Sequence, residues 1–508
     1  MPKRFSPGKA IFFVLFLPLV MFSVLGQLTK SSRETHDTSI LIAAPVLPGT
    51  CDPVSVPDPK TGGFLPNVYE GLVRFKPGSC EVEPCLATDW ELSADGCTWT
   101  FQLRRDVRFH TGQKLTAELV KTCFADKLEA ASRLPHLRPL FGMVEDVFAP
   151  DRTRVCFKLK YPYAPFLRNL ALPQAAICLP GRPSSGTGPY RIISIKKGTI
   201  TLMSYAGYRS RIPPVTKVTV QSVPDPSDRI NLLKKKAGVI AVDIPPDFIA
   251  DLPPGKLTKT TGISVSYIGF YTNKRPFDNP TARYAVALAV DRIRLCSSLY
   301  GNLLPPATGL IPPAVLDTGC HSPIPQPDPL KARELFKSLG LEDITLLTYE
   351  GTRPYNPAGG IRLAQEIKDH LEAAGLRVSI RGYPWQELKE AISQQKGDTF
   401  LYGWLSDNGD PDNCLSYPLA GPQIAQGYNT THYRNPVLDL LLARAQQVPS
   451  FQVRRGIYER ALKIVSRDNP VIPLNYGSQT AACTPDITGF TLHPAGTYDL
   501  SKVTLAKH

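Results

Sequence analysis

Residues 398–415 have the sequence DTFLYGWLSDNGDPDNCL. The apolar and aromatic first half predicts a buried strand, and the dense Asp, Asn, Gly and Pro residues after it predict a turn. Asp407 therefore falls where the strand ends. Ligands of open α/β sheets bind just beyond the carboxyl ends of the strands, so a carboxylate there can meet a ligand cation. The structural alternative is that Asp407 caps the turn through its own backbone.

The segment before this stretch predicts alternating strands and helices. Residues 344–349 and 376–380 have the apolar pattern of strands. Residues 361–374 predict an amphipathic helix, which Gly375 ends, and a second helix begins near Trp385. The order strand, helix, strand, helix, strand predicts parallel strands joined by right-handed crossovers.

Two opposite charges follow strands of this predicted sheet. Arg353 comes after the first strand and Asp407 after the third. A cation and an anion at one sheet edge are placed to hold the two ends of a zwitterion. An extended chain advances about 3.3–3.6 Å per residue, so one or two peptide units would span neighbouring sites.

These residues also carry a family resemblance. The run GWLSDNGDPDN at 403–413 and the loop RPYNP at 353–357 resemble extracytoplasmic solute-binding proteins of the peptide/nickel family, and within it the dipeptide-binding proteins of ABC importers. The resemblance implies that Asp407 pairs with a peptide α-ammonium and that Arg353 holds the α-carboxylate. It also implies an α/β fold like that of type II periplasmic binding proteins, with two lobes joined by hinge strands and an extra inserted domain.

Other residues of the two motifs are further candidates for ligand contact. Gly403, Trp404 and Leu405 are expected to offer backbone partners along a peptide, because main-chain recognition tolerates many side chains. Trp404 fits core packing equally well. Tyr355 and the loop at 61–63 are weaker candidates.

The resemblance covers the chain from about residue 39 to the end and implies three domains. Domain I is discontinuous and combines 37–67, 185–271 and 477–508. Domain II is an insertion at 68–184, and domain III spans 272–476. The family elements that carry this division include GTGPY at 186–190, whose Pro and missing third Gly argue against a phosphate loop, and RPFDNP at 275–280.

Local patterns add three structural expectations. Asp95-Gly96 between alternating apolar residues predicts a hairpin. Thr116 predicts the capped start of a helix. Residues 282–299 predict one long helix that contains Asp291 and Arg292.

The N-terminus predicts export. Basic residues precede the apolar run 10–25, which is typical of a secretory signal peptide at 1–26. An uncleaved, membrane-anchoring leader is the alternative, and a periplasmic location is expected in either case. Export makes disulfides feasible, and the chain has eleven cysteines, of which Cys80, Cys85 and Cys97 are candidates for a local bridge. Cys414 is expected to be a small buried apolar residue.

Composition and motifs exclude several classes of function. The 508 residues are 43% hydrophobic and 20% charged, as in soluble globular proteins, and the 50 prolines predict a loop-rich chain. The net charge of +14 is spread out, so we expect no nucleic-acid partner. No zinc, Walker A or nucleophile-elbow motif occurs. Asp407, Asp410 and Asp412 match only the start of a calcium loop, since no glutamate closes it.

The sequence therefore predicts a monomeric binding protein that captures dipeptides or short peptides and passes them to a membrane permease. We expect no catalytic residues, no metal ligands and no cofactor. Within the same fold, the alternative ligands are a longer peptide, glutathione, haem or a metal chelate. A non-transporting surface or chaperone-like protein that keeps the fold is a further alternative. From another class, the alternative is a peptidase, which the missing catalytic motifs disfavour.

Overall fold

The computed structural model describes residues 1, 38–56, 61–301, 303–317 and 324–506. The predicted signal peptide lies outside these ranges except for its first residue. Within the described ranges, none of the helices is long and apolar enough to cross a membrane.

The strands alternate with helices over much of the chain. The strands are β1 (Ser39–Ala44), β2 (Val73–Phe75), β3 (Val82–Pro84), β4 (Ala87–Leu92), β5 (Thr98–Leu103), β6 (Val144–Phe148), β7 (Arg154–Leu159), β8 (Tyr190–Lys196), β9 (Thr199–Ser204), β10 (Lys217–Ser222), β11 (Val239–Val242), β12 (Lys256–Phe270), β13 (Asp343–Tyr349), β14 (Arg377–Tyr383), β15 (Thr399–Leu405), β16 (Val471–Cys483), β17 (Ile487–Thr488), β18 (Thr491–Leu492), β19 (Tyr498–Asp499) and β20 (Thr504–Leu505). The α-helices are α1 (Ala117–Arg133), α2 (Arg138–Phe141), α3 (Phe166–Asn169), α4 (Pro226–Lys235), α5 (Pro280–Ala289), α6 (Arg292–Tyr300), α7 (Pro329–Leu339), α8 (Gly360–Ala373), α9 (Trp385–Ser393), α10 (Pro411–Leu419), α11 (Pro436–Gln447) and α12 (Phe451–Asp468). Short 3-10 helices occupy Pro53–Ser55, Leu65–Asn67, Pro135–Leu137, Pro173–Ala175, Pro246–Asp251 and Gly421–Ile424.

A ten-stranded mixed sheet runs through the fold in the order β14, β13, β15, β12, β16, β11, β1, β10, β9, β8. Strand β13 pairs in parallel with both β14 and β15, and α8 and α9 make the connections. This confirms the predicted parallel unit. A separate antiparallel sheet has the order β4, β5, β7, β6, and its first two strands form the hairpin expected at Asp95-Gly96.

Two long strands join the halves of the large sheet. β12 and β16 pair from Lys256 opposite Cys483 to Gly269 opposite Val471, with the register shifting between Thr261 and Val265. On one side of that shift β16 pairs with β11, and on the other side β12 pairs with β15. β12 and β16 thus connect the two parts of the sheet, as hinge strands would.

The buried apolar residues form two large hydrophobic cores. Core 1 packs β1, β5, β7, β10 and α1, with Phe101, Phe124 and Phe157 in edge-on ring contacts. Core 2 packs β12, β13, β15 and helices α5 to α10. Cys414 is buried in core 2 as expected. The two cores share the ten-stranded sheet, so each can keep its own packing while the sheet connects them.

The expectation of one long helix at 282–299 is wrong. The structure has two helices, α5 and α6, which are separated at Val290 and Asp291. The Asp291 side chain accepts a hydrogen bond of 3.0 Å from the backbone N–H of Arg294 and so caps α6. The apolar period continues across the break, which is why the sequence pattern did not reveal it.

The expected bridge among Cys80, Cys85 and Cys97 is also wrong. Each of the ten cysteines in the described ranges is a free thiol. Cys80 is buried in core 2, where its N–H donates to the Ala314 carbonyl over 3.0 Å. Cys85 is buried beside Glu70, and Cys97 is partly exposed, so the three thiols have different surroundings.

Substitution of Asp291 tests the break between α5 and α6. Asp291→Ala removes the side-chain cap and should cost about 1 kcal/mol of unfolding free energy, whereas Asp291→Asn keeps the acceptor and should cost much less. Urea denaturation of both variants measures this. Equal losses in the two variants would show that the carboxylate acts through its charge rather than as a cap.

Candidate functional site

A cavity of about 790 Å³ lies between the two cores. Core 1 contributes Phe64, Leu140 and Leu172, and core 2 contributes Ile263. The lining residues are Ala44, Pro45, Val46, Leu47, Thr61, Gly63, Phe64, His136, Pro139, Leu140, Leu172, Gln174, Val242, Asp243, Ile263, Pro354, Leu405, Ser406, Asp407, Tyr428, Gln479, Thr480, Leu492, Ala495, Gly496 and Tyr498. Most of these side chains are apolar, and the described residues of the lining include no lysine or arginine.

Asp407 reaches the cavity from the loop after β15. Its backbone N–H donates to Asn413 Oδ1, and Asn413 Nδ2 donates to Asp407 Oδ2, both over 3.2 Å. The side chain is exposed toward the cavity, and in the described ranges no basic side chain forms an ion pair with it. Desolvation by the surrounding protein raises the pKa of Asp407, and the Asn413 hydrogen bond only partly opposes this effect.

The cap of the following helix is Asp410 rather than Asp407. The Asp410 side chain accepts from the N–H of Asp412 over 3.0 Å at the start of α10. Asp407 is therefore not needed as the helix cap. Its carboxylate keeps lone pairs for a partner from the cavity.

Arg353 lies in the loop between β13 and α8, close to the cavity but outside its lining. Its backbone N–H donates to the Asn356 carbonyl over 2.9 Å, and Pro354 beside it lines the cavity. The guanidinium carbon lies 3.6 Å from the centre of the Trp385 ring. Nε is buried without a hydrogen-bond partner, and no carboxylate in the described ranges forms an ion pair with Arg353.

Gly403, Trp404 and Tyr355 lie next to residues that line the cavity but are not part of the lining. A Cβ on Gly403 would lie 2.5 Å from the Tyr355 ring, so only glycine allows this packing. Trp404 Nε1 donates to Asn413 Oδ1 over 2.8 Å, which orients the amide that holds Asp407. Of the six residues predicted from the two motifs, Leu405 and Asp407 line the cavity, and the other four do not.

The loop at 61–63 contributes Thr61 and Gly63 to the lining. Sequence reasoning missed Asp243, His136 and Gln174. Asp243 follows β11 with φ of 61°, so it has the same strand-end signal as Asp407. It already has an interaction partner, unlike an unpaired ligand anchor. His136 and Gln174 carry no local signal, since tertiary packing alone brings them to the wall.

Directly behind Asp407, Asp410 is fully buried between two arginines. Arg454 Nη1 lies 2.9 Å from Asp410 Oδ2, and Arg168 Nε lies 3.6 Å from the same oxygen. Burial raises the pKa of Asp410, but the two guanidinium groups outweigh it, so its pKa is below the ordinary value. The site therefore holds one paired carboxylate and one unpaired carboxylate three residues apart.

Asp412, also fully buried, has a different environment. It accepts hydrogen bonds from Gln446 Nε2 over 3.1 Å and from the Ser416 and Tyr163 hydroxyls. Desolvation, together with repulsion from Asp410, raises the pKa of Asp412 from 3.8 to about 6. The Ser416 and Gln446 hydrogen bonds and the charge of Arg454 lower it only in part.

A mixed sheet shared by two cores, with a cavity between them, defines a binding protein of the type II periplasmic fold. Residues 81–426 match the family described as "Bacterial extracellular solute-binding proteins, family 5 Middle", and the chain belongs to this family. Family members are periplasmic binding proteins that serve ABC importers. The resemblance seen in the sequence is thereby confirmed.

Curated relatives differ in the ligands for which they are named. Di/tripeptide-binding protein 2 of Pseudomonas aeruginosa is 28% identical over 475 residues, covering 86% of this chain and 89% of its own length. Heme-binding protein A of Haemophilus influenzae is 27% identical over 512 residues, covering 93% and 92%. The dipeptide-binding protein of Escherichia coli is 27% identical, covering 86% and 89%. These relatives are named for binding, not for catalysis.

Solved structures share the fold. HbpA2 from Haemophilus parasuis superposes with a TM-score of 0.84 at 25% identity, covering 92% of this chain and 100% of that one. A dipeptide-binding protein from Pseudoalteromonas, solved in complex with Met-Leu, gives a TM-score of 0.72 at 23% identity, with coverage of 92% and 100%. The second likeness concerns the fold alone.

The raised pKa of Asp412 predicts a pH-dependent contribution to stability. Since the folded pKa lies above the unfolded one, the contribution is greatest below pH 3.8 and declines until the pH passes about 6. Asp412→Asn lacks this decline. Urea denaturation should therefore show that, between pH 4 and pH 7, wild type loses about 2–3 kcal/mol relative to the variant.

The exposed surface residue Asp126 supplies the control substitution, Asp126→Asn. A gap between wild type and Asp412→Asn that stays constant from pH 4 to pH 7 would contradict the assigned environment of Asp412.

Proposed function

We propose that the protein captures dipeptides or other short peptides by their charged ends and delivers them to a membrane permease. The observation that carries this proposal is the Asp407 carboxylate, which faces the cavity without a basic partner in the described ranges. Closure of the cavity around a ligand would remove water from this carboxylate, and a ligand ammonium would then offset the cost of burying an unpaired charge. Asp407 is therefore the proposed anchor for the peptide amino terminus.

Arg353 is the proposed anchor for the peptide carboxylate. Trp385 covers one face of its guanidinium and leaves the N–H edges to donate. The absence of an ion pair with any described carboxylate leaves its charge available, and Pro354 brings its loop to the cavity wall. A planar guanidinium can bind a carboxylate through two parallel hydrogen bonds, a geometry that lysine cannot reproduce.

Residues next to the cavity lining support this arrangement. Trp404 and Asn413 orient Asp407. Gly403 of β15 packs against Tyr355 of the Arg353 loop. Leu405 reaches the lining directly and can add a backbone contact along the peptide. We propose that these five residues set the spacing between the two charged anchors.

The size of the cavity supports a second candidate ligand class. A volume of about 790 Å³ is at the upper end of ordinary ligand sites and exceeds the needs of a small dipeptide. The mostly apolar lining suits a bulky ligand, and one relative is named for heme binding. Longer peptides, glutathione or haem are therefore the alternatives, and competition between a dipeptide and haem in one titration separates them.

We also propose the domain division that the sequence suggested. Core 1 draws on the segments 37–67, 185–271 and 477–508 together with the insertion 68–184, whose antiparallel sheet is separate. Core 2 draws mostly on 272–476. Bending of β12 and β16 where their register shifts would open the cavity.

We propose that residues 1–26 direct export and that the protein works as a monomer.

Asp407→Asn tests the ammonium anchor. The neutral amide cannot pair with a cation, so calorimetry should show a loss of about 2 kcal/mol or more for dipeptides with a free amine. Amino-acetylated analogues carry no ammonium and should lose far less. Asp369→Asn, at an exposed position on α8, is the matched control. Unchanged affinity for the free-amine peptide would refute the role of Asp407.

Arg353→Ala tests the carboxylate anchor by the same logic. Dipeptides with a free carboxylate should lose about 2 kcal/mol more binding free energy than carboxyl-amidated analogues. Arg353→Lys should restore only part of the loss, because lysine binds as a point charge. Arg377→Ala, on the exposed side of β14, controls for general charge removal. Equal losses for both ligand types in calorimetry would exclude this role.

A further inference from the structure

A polar seam connects core 1 to the loop that carries Asp407. Helix α3 is fixed in core 1 by Phe166, which is fully buried there. The next two polar residues of α3, Arg168 and Asn169, are buried against residues 408–410. That loop precedes α10, whose buried side chains belong to core 2.

Arg168 makes several contacts across this seam. Its Nη1 donates to the Gly409 carbonyl, and also to the Val315 carbonyl over 3.3 Å. Its Nε lies 3.6 Å from Asp410 Oδ2, and its guanidinium carbon lies 4.7 Å from the centre of the Phe451 ring. One side chain on α3 thus contacts three separate segments: the loop at Gly409 and Asp410, Val315, and Phe451.

Neighbouring residues extend the seam on both sides of Arg168. Asn408 Nδ2 donates to Asn169 Oδ1 over 2.7 Å, and Asn169 Nδ2 donates to the carbonyl of Leu140, which lines the cavity. The Ala164 N–H donates to the Gln446 carbonyl over 2.6 Å. Asn408, next to Asp407, is therefore linked through Asn169 to Leu140 in the cavity lining.

The charge arrangement allows this seam to open and close. Asp410 forms its shorter ion pair with Arg454, which lies on α12, the helix whose buried apolar residues belong to core 2. If the cores separate, Asp410 keeps that partner, and Arg168 becomes hydrated. Neither core is then left with an uncompensated buried charge, so the free energy needed to separate the two cores stays moderate.

We propose that Arg168 is a positioning residue for the Asp407 loop, and that its insertion between Gly409, Val315 and Asp410 links the ligand-binding conformation of that loop to the closed packing of the two cores. The link to binding rests on the proposed function. Asn408 and Gly409 directly follow Asp407. The hydrogen bonds to the Asn408 side chain and to the Gly409 carbonyl therefore restrict the direction in which the Asp407 carboxylate points. When the two cores close, these contacts fix Asp407 in the position that binds the ligand ammonium.

Arg168→Ala and Arg168→Gln test this in the full-length protein. Stopped-flow binding of a free-amine dipeptide should show affinity reduced about tenfold or more, mainly through faster dissociation, because hydrogen bonds from a charged donor are lost. The preference for the free-amine peptide over its acetylated analogue should also shrink. A purely packing role would weaken both ligands equally. Arg133→Ala, on the exposed end of α1, should behave as wild type.

A double variant gives a sharper result. In the Asp407→Asn background, Arg168→Gln should cause little further loss of dipeptide affinity, because it acts through Asp407. Additive losses would overturn the proposal. Unchanged affinity in both folded single variants would overturn it as well.

Hydrogen exchange measured by mass spectrometry needs no ligand and separates this proposal from the peptide assignment. Arg168→Gln should increase exchange of the amides at 406–413 relative to wild type and Arg133→Ala. If wild type binds no peptide while this increase occurs, the peptide assignment fails and the positioning role stands. If exchange at 406–413 is unchanged, the positioning role fails, whatever the ligand.

Discussion

A fully buried carboxylate, Asp410, imposes the strictest constraint on this fold. Removing a carboxylate from water costs several kcal/mol unless cations and hydrogen bonds replace the water. Arg454 and Arg168 meet that requirement from two different parts of the chain. Asp410 also caps α10, so satisfying its charge fixes the course of the chain between β15 and α10. The direction of the neighbouring loop follows from this one electrostatic requirement.

Asp407 has the opposite environment within the same loop. Two arginines lower the pKa of Asp410, whereas desolvation without a cation raises the pKa of Asp407. Asn413 and Trp404 hold the Asp407 side chain in place but supply no charge. The scaffold therefore fixes the position of a carboxylate and leaves its neutralisation to something that enters the cavity. That contrast is the physical basis for assigning a cationic group to the ligand.

Sequence reasoning succeeded where structure is local or periodic. The strand and helix periods around 344–405 predicted the parallel unit, and the strand end placed Asp407 where a carboxylate can either meet a ligand or cap the turn. It failed at Asp291, because a helix cap does not interrupt the apolar period. It could not place Arg353 on Trp385, or bring His136 and Gln174 to the cavity wall, because residues distant in sequence decide those contacts. The partnership of Arg168 with Asp410 has the same long-range origin.

The most direct test of the account is the titration of the Asp407 carboxyl carbon by 13C NMR, assigned by comparison with Asp407→Asn. Without ligand, we expect the pKa to lie above the ordinary aspartate value. With a saturating dipeptide, we expect it to fall by a unit or more, because a bound ammonium favours the ionised carboxylate. An unchanged pKa in the presence of a bound dipeptide would contradict the central claim that Asp407 pairs with the ligand's amino group.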